Sequence, residues 1–152
     1  MAQPQVDFYV LSSDDPAARL RFACRLAEKA WARRHRVRVQ LEPGGELETF
    51  DRMLWTYSDR SFVPHRRAGV PEPVPPPARV PVVLADTAEA DPADGDVVIN
   101  LAAAVPHGFE SYGRIAEIVD AEAQRRGSGR ERFRFYRERG LSPATHEMGS
   151  EP

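Results

Sequence analysis

The chain has 152 residues, 41% of them hydrophobic and 29% charged, which suits one globular domain with a sizeable core. A net charge of −2 opposes general nucleic-acid binding, and no apolar run reaches the ~20 residues of a membrane helix. Cys24 is the lone cysteine, which excludes an internal disulfide, and the N-terminus lacks a signal peptide's basic-then-apolar order; the expected location is cytoplasmic.

Val6 to Leu11 (VDFYVL) is an apolar, β-rich run that predicts a buried strand. Asp15-Pro16 offers a cap and a first-position proline. Leu20, Cys24, Ala27 and Trp31 then recur at helical spacing through Arg34. Val37 to Leu41 alternates like a strand. After a Pro43-Gly44-Gly45 turn, Leu47, Phe50 and Leu54 mark one face of a second helix, Glu46 to Trp55. Ser58 to Arg79 reads as a surface loop, and proline density over about residues 66–81 excludes helix and central strand there. Val82 to Ala85 and Val97 to Leu101 predict strands on either side of an acidic loop. Pro106 to Gly113 predicts irregular chain or a short helix, and Ile115 to Val119 a further strand. Strands alternating with helices predict one α/β domain over residues 1–152, three-layered α/β/α, with a largely parallel sheet.

Such a sheet invites a nucleotide-binding reading. The turn after the first strand, Ser12 to Ala17, has no glycine and two carboxylates, and no GxxxxGK[ST] occurs. The predicted fold is therefore Rossmann-like without a phosphate-binding loop. His35, His65, His107 and His146 are scattered, and none stands at metal-ligand spacing from another His, Cys or Asp. No GxSxG elbow accompanies Ser12 or Ser13. No catalytic residue, cofactor site or metal site is expected.

The most charged segment is Arg125 to Gly140, RRGSGRERFRFYRERG, with seven arginines and two glutamates in a chain that is acidic elsewhere. Ser128 and Glu131 fit a capping box and Gly140 a C′ glycine, which predicts a helix over about residues 129–139. On that helix Arg130, Arg134 and Arg137 fall in a stripe about 60° wide, with Phe133 at its edge and Phe135 facing away as the core candidate. A cationic stripe beside an aromatic ring suits a carboxylate joined to an apolar side chain. The same residues also read as a solvated face, or as a strip that meets single-stranded DNA. Trp55 and Phe62, at the two ends of a short connection, are either interface aromatics or a lid on the core.

The chain resembles the chi subunit family of bacterial DNA polymerase III. VDFYVL at Val6, CRLAEKAWARRHRV from Cys24, LWTYSDRSFVPH from Leu54, DVVINLA from Asp96, AEIVD from Ala116 and RERFRFYRERG from Arg130 carry the resemblance, in family order over nearly the whole chain. The resemblance implies a non-catalytic adaptor. Its partners would be the acidic C-terminal tail of single-stranded DNA-binding protein, which ends in a Pro-Phe carboxylate, and the clamp-loader complex, reached through the psi subunit. It implies indirect contact with nucleic acid and none with a membrane. It carries tail binding over to Arg130, with Arg126 and Arg134 in support, Phe133 as the pocket aromatic and Thr145 alongside. It carries the psi-facing surface over to Trp55 and Phe62. Gly127-Ser128-Gly129 departs from the family pattern, and the expectation is that it breaks the helix and leaves Arg126 ahead of it. The tail over residues 143–152 is expected to fray. Two alternatives stay open: a nucleotide-binding α/β enzyme, and direct single-stranded DNA binding by the basic helix.

Overall fold

The computed structural model describes residues 3–56, 63–68, 82–86 and 95–148. In chain order these form β1 (Gln5–Leu11), α1 (Pro16–Ala32), β2 (Val37–Leu41), α2 (Glu46–Thr56), β3 (His65–Arg67), β4 (Val82–Asp86), β5 (Val97–Asn100), a 3-10 turn (Phe109–Ser111), β6 (Arg114–Val119), α3 (Ala123–Glu138) and β7 (Ala144–Met148). The strands make one sheet in the order β3-β4-β2-β5-β6-β1-β7, and every pairing is parallel.

Side-chain alternation divides the core between the two faces of this sheet. Leu11 of β1, Val39 of β2, Ile99 of β5 and Ile118 of β6 pack under α1 and α2, against Leu20, Cys24, Phe50 and Leu54. Val6 and Phe8 of β1, Val98 of β5 and Ile115 and Val119 of β6 face the other way, against Tyr136 of α3 and the aromatics Phe109 and Tyr112. Helices therefore cover both faces, the three-layer α/β/α arrangement expected. Cys24 is fully buried in the first cluster, and burial pushes its thiol up to about 12, so it acts as a small apolar residue.

The predicted caps hold at α1, where the Asp15 carboxylate accepts from the Ala17 N–H at 3.0 Å. That carboxylate occupies the helix N-terminus that a phosphate loop would leave open.

Two loop expectations are corrected. The region expected as proline loop contributes a strand at its start: β3 pairs with β4 through residues 65–67. The remainder of that loop lies outside the described residues. The tail expected to fray instead supplies β7, whose residues 144–148 pair with β1 from Asp7 to Leu11.

The largest correction concerns α3. The helix starts at Ala123 and runs through Gly127-Ser128-Gly129 without a break. Its cap is Glu122, whose carboxylate accepts from the N–H groups of Gln124 and Arg125 at 3.1 and 2.7 Å. Ser128 sits within the helix, and its hydroxyl donates to the Ala103 carbonyl. The glycine at 129 is a close-approach residue: a Cβ there would stand 2.8 Å from Val119 Cγ2. Its helix-propensity cost is offset by the packing of α3 onto β6. In the core, Tyr136 is fully buried, and Phe135, the residue expected there, is only half-buried beside it. The helix closes as expected at Gly140, with φ of 85°. Leu141 N–H donates to Tyr136 C=O and Gly140 N–H to Arg137 C=O, a Schellman ending.

The two helical glycines should respond oppositely to alanine. At Gly127 an added Cβ meets nothing within 4 Å, so Gly127→Ala should stabilise the fold by about 0.5–1 kcal/mol through helix propensity. Gly129→Ala must displace a β-branched wall residue and should destabilise by about 1–3 kcal/mol. Urea denaturation of the two variants reads the difference; a shift of the same sign in both would refute this account of α3.

Candidate functional site

The arginines of α3 divide by their direction around the helix. Arg132 and Tyr136, one turn apart, point into the sheet and meet Glu117 of β6. Arg132 Nε donates to Glu117 Oε1 at 2.8 Å, Tyr136 OH to Oε2 at 2.6 Å, and Asn100 Nδ2 of β5 to both oxygens at 3.0 and 3.1 Å. The carboxylate is completely buried. Arg125 turns to the same side of the helix and grips the buried Asp120 through Nε and Nη2 at 2.8 and 2.7 Å. These contacts fix how α3 is rotated on the sheet.

That rotation exposes the other set. Arg130, Phe133, Arg134 and Arg137 line an open cleft on the outer side of α3, joined there by Glu138. Arg130, Arg134 and Arg137 are solvent-exposed. Among the described residues they make no ion pair. Arg130 and Phe133 also border a second, smaller cleft of about 250 Å³ with Phe8, Val10, Val119, Arg126, Gly129 and Thr145. Its floor is apolar and its rim holds two guanidiniums. A cavity of about 150 Å³ already accommodates a benzene ring. Phe133 divides the two clefts and is held by Phe8, with ring centroids 5.2 Å apart and a tilt of 59°. Because Gly129 brings α3 close to Val119, the bottom of the smaller cleft is the sheet itself.

The structure thus brings together all five residues expected on the tail-binding surface. Arg130, Phe133 and Arg126 line the smaller cleft from α3, Thr145 lines it from β7, and Arg134 adjoins it in the larger one. Arg126 is a correction: it lies inside α3, not ahead of it, and its guanidinium donates to the carbonyls of Asp120 and Leu11 at 3.3 and 3.4 Å. It is a tethered cation at the cleft wall, whereas Arg130 is unanchored. Phe8, Val10 and Val119 were not anticipated as site residues, because a buried-strand reading places such residues in the core without saying which of them a helix leaves uncovered.

A second feature lies at the opposite end of the sheet order. Trp55, at the end of α2, is half exposed, and its ring centroid stands 4.5 Å from that of His65. His65 contacts the Val63 carbonyl through Nδ1 at 2.8 Å and Asp51 Oδ1 through Nε2 at 2.7 Å, which locks the ring under the indole. Phe62, expected beside Trp55, lies outside the described residues. The histidines that looked isolated in sequence have carboxylate neighbours in space: His65 meets Asp51, and His146 of β7 meets Asp7 Oδ1 at 2.9 Å while stacking on Tyr9. Among the described residues no group of three or more His, Cys, Asp and Glu is placed to hold a metal ion.

The family profile described as DNA polymerase III chi subunit matches residues 3–144. The chain belongs to the chi subunit family. The DNA polymerase III subunit chi of Pseudomonas aeruginosa is 37% identical over 144 residues, which cover 95% of this chain and 96% of that relative. This chi-family chain is accordingly an accessory subunit of bacterial DNA polymerase III, and its broad role is DNA replication.

Arg132→Met should expose how α3 is held. Removing one partner of a buried ion pair costs about 3–5 kcal/mol, because the remaining charge is uncompensated. Burial already lifts the Glu117 carboxyl above its usual range; Arg132, then the hydroxyl of Tyr136 and the amide of Asn100, pull it down. Without Arg132 it rises further. A raised folded-state carboxyl binds a proton that the unfolded chain releases, so the associated stability is full below about pH 4.3 and falls as pH climbs through the folded value. The stability gap between wild type and variant should therefore be widest at neutral pH and narrow towards about pH 5, as read by urea melts at several pH values. A gap independent of pH would show that Glu117 does not carry the charge.

Proposed function

We propose that this chain is a non-catalytic adaptor of DNA polymerase III that holds the acidic C-terminal tail of single-stranded DNA-binding protein and links it to the clamp-loader complex through the psi subunit. One observation carries the reading: an apolar, aromatic-walled cleft is rimmed by arginines that no neighbouring described carboxylate neutralises. A C-terminal phenylalanine presents the matching chemistry, with a ring beside a carboxylate. In this reading Arg130 takes the terminal carboxylate, Phe133 and Phe8 enclose the ring, and Thr145 closes the β7 side. Arg126 adds fixed positive potential, and Arg134 and Arg137 attract the acidic residues upstream. Trp55 and Phe62 belong to the psi-facing surface, nucleic acid is contacted indirectly, and the protein works in the cytoplasm.

The unneutralised arginines also fit a nucleic-acid backbone, but the cationic strip is short, it includes Glu138, and the chain as a whole is acidic. A peptide that ends in one ring and one carboxylate uses the apolar floor, and a phosphate chain does not.

A fluorescent peptide of the tail tests the assignment by anisotropy. Arg130→Ala should weaken binding by about 10- to 100-fold, the range expected when a charge-assisted hydrogen bond is lost. Removing the peptide's final phenylalanine should abolish binding. Glu138→Gln should tighten it by about twofold at low salt and leave it unchanged at high salt, since a screened surface charge would be removed. Undiminished binding by Arg130→Ala, or equal binding of a bare oligonucleotide, would overturn the reading.

A further inference from the structure

The outer face of α1 carries a second concentration of positive charge, which the whole-chain value of −2 conceals. Residues 19–36 hold seven lysine and arginine residues and a single carboxylate, Glu28. Arg19 turns inward and is held by Glu46 of α2 at 2.6 Å. Arg21, Arg25, Lys29 and Arg33 are exposed and follow one another at four-residue spacing, the last of them at the helix C-cap. Each step advances about 6 Å along the axis and about 40° around it, so the four charges form a slowly turning row about 18 Å long. Arg34, exposed and left-handed with φ of 69°, carries the charge round the turn towards β2.

The fold leaves this row unneutralised. Arg21, Lys29, Arg33 and Arg34 make no ion pair among the described residues. The carboxylates of α2, the helix packed beside α1, are committed elsewhere: Glu46 to Arg19, and Glu48 and Asp51 to Arg67 at 3.0 and 3.3 Å. Asp96, near the end of the row, accepts from the Arg36 backbone N–H at 2.9 Å. Local helix energetics give no reason for the row either. Like charges four residues apart repel, and the helix dipole favours cations at Lys29 and Arg33 but not at Arg21 or Arg25.

The surroundings narrow the ligand class. The uncharged residues that share this outward direction are small, Ala18 and Ala32. An acidic peptide would find charge but no apolar anchor there, unlike the cleft beside α3. A single strand would find no ring to stack on, which is how single-strand binders hold bases. A duplex backbone needs neither: it presents one negative charge per about 1.7 Å of axis and is held through charge alone. We propose that the outer face of α1 docks on the phosphate backbone of duplex DNA without reading its sequence. This adds a direct contact to the indirect one of the tail reading and does not depend on that reading. α1 covers one face of the sheet and α3 the other, so tail and duplex can be held at once.

The test is the anisotropy of a fluorescent duplex of about 20 base pairs titrated with the full chain at several salt concentrations, beside a single strand of the same length and the tail peptide. With four phosphates neutralised, the plot of log K against log salt should have a slope of about −3 to −4. Two duplexes of unrelated sequence should bind within about twofold of each other, and the single strand at least about threefold more weakly. Arg21→Glu combined with Lys29→Glu should weaken duplex binding by at least about tenfold with tail-peptide binding unchanged, and Arg130→Ala should do the reverse. Should the charge reversal disturb α1, Arg21→Gln with Lys29→Gln serves instead and should make the slope shallower by about two. A chain that binds duplex but not the tail peptide would refute the peptide reading and leave this proposal standing. No duplex binding at low salt, a slope near zero, or duplex binding lost in Arg130→Ala but kept in the α1 variant would overturn it. Tighter binding of the single strand, or of a polyglutamate peptide, would overturn it equally.

Discussion

The surface of this protein depends on a buried carboxylate. Glu117 lies in the middle of the sheet on a central strand, completely removed from water, and is tolerable there only because Arg132, Tyr136 and Asn100 all donate to it. Arg132 and Tyr136 are one helical turn apart, so their shared partner leaves α3 a single rotation about its axis. A hydrophobic stripe alone would specify that rotation loosely, and α3 has little of one. Its inward face is instead a polar network with a fixed geometry. Everything proposed for the outer face follows from this: with Arg132 and Tyr136 turned in, Arg130, Arg134 and Arg137 must turn out.

The same constraint separates two kinds of arginine that composition cannot tell apart. Arg125 and Arg132 are structural, each matched to a buried acid. Arg130, Arg134 and Arg137 stand in solvent with no acid of their own among the described residues. A surface cation without a partner contributes little to stability, so these three are free to serve the proposed ligand without cost to the fold. Next to it, Gly129 draws the helix onto Val119 and Phe8 props Phe133 upright, which makes an apolar floor beside the free charge. In the proposed reading, charge and apolar floor together suit a C-terminal aromatic residue better than a polyanion.

Chi-family membership fits a Rossmann-like frame in which the usual phosphate-binding elements have been replaced. The turn after β1 carries the Asp15 cap where a nucleotide fold would keep backbone N–H groups free, and a crevice over β2, β5 and β6 is balanced in charge. The frame thus offers two cationic surfaces on opposite faces of one sheet, the apolar cleft beside α3 and the outer row of α1.

Much of this was legible in the residues. The apolar runs VDFYVL and VVINL, the Asp15-Pro16 start and the spacing of Leu47, Phe50 and Leu54 determine β1, β5, α1 and α2, because local periodicity and capping are properties of short segments. The stripe of Arg130, Arg134 and Arg137 with Phe133 at its edge is also a matter of helical spacing. The family resemblance named Arg126 and Thr145, but only the fold shows how they join that stripe. Sequence rules placed the start of α3 at Ser128, since a Gly-Ser-Gly run ordinarily ends a helix; the cap is in fact Glu122, because packing against Val119 favours the glycine that propensity penalises. β7 escaped notice for the opposite reason: ATHEM has no apolar alternation, and its order comes from pairing with β1, more than a hundred residues away. Sequence by itself determined the helical and apolar-strand elements, apart from the start of α3, and which charges they carry. Tertiary structure decided which of those charges are neutralised, because partners such as Glu117 for Arg132 and Asp7 for Arg114 meet only once the sheet is assembled.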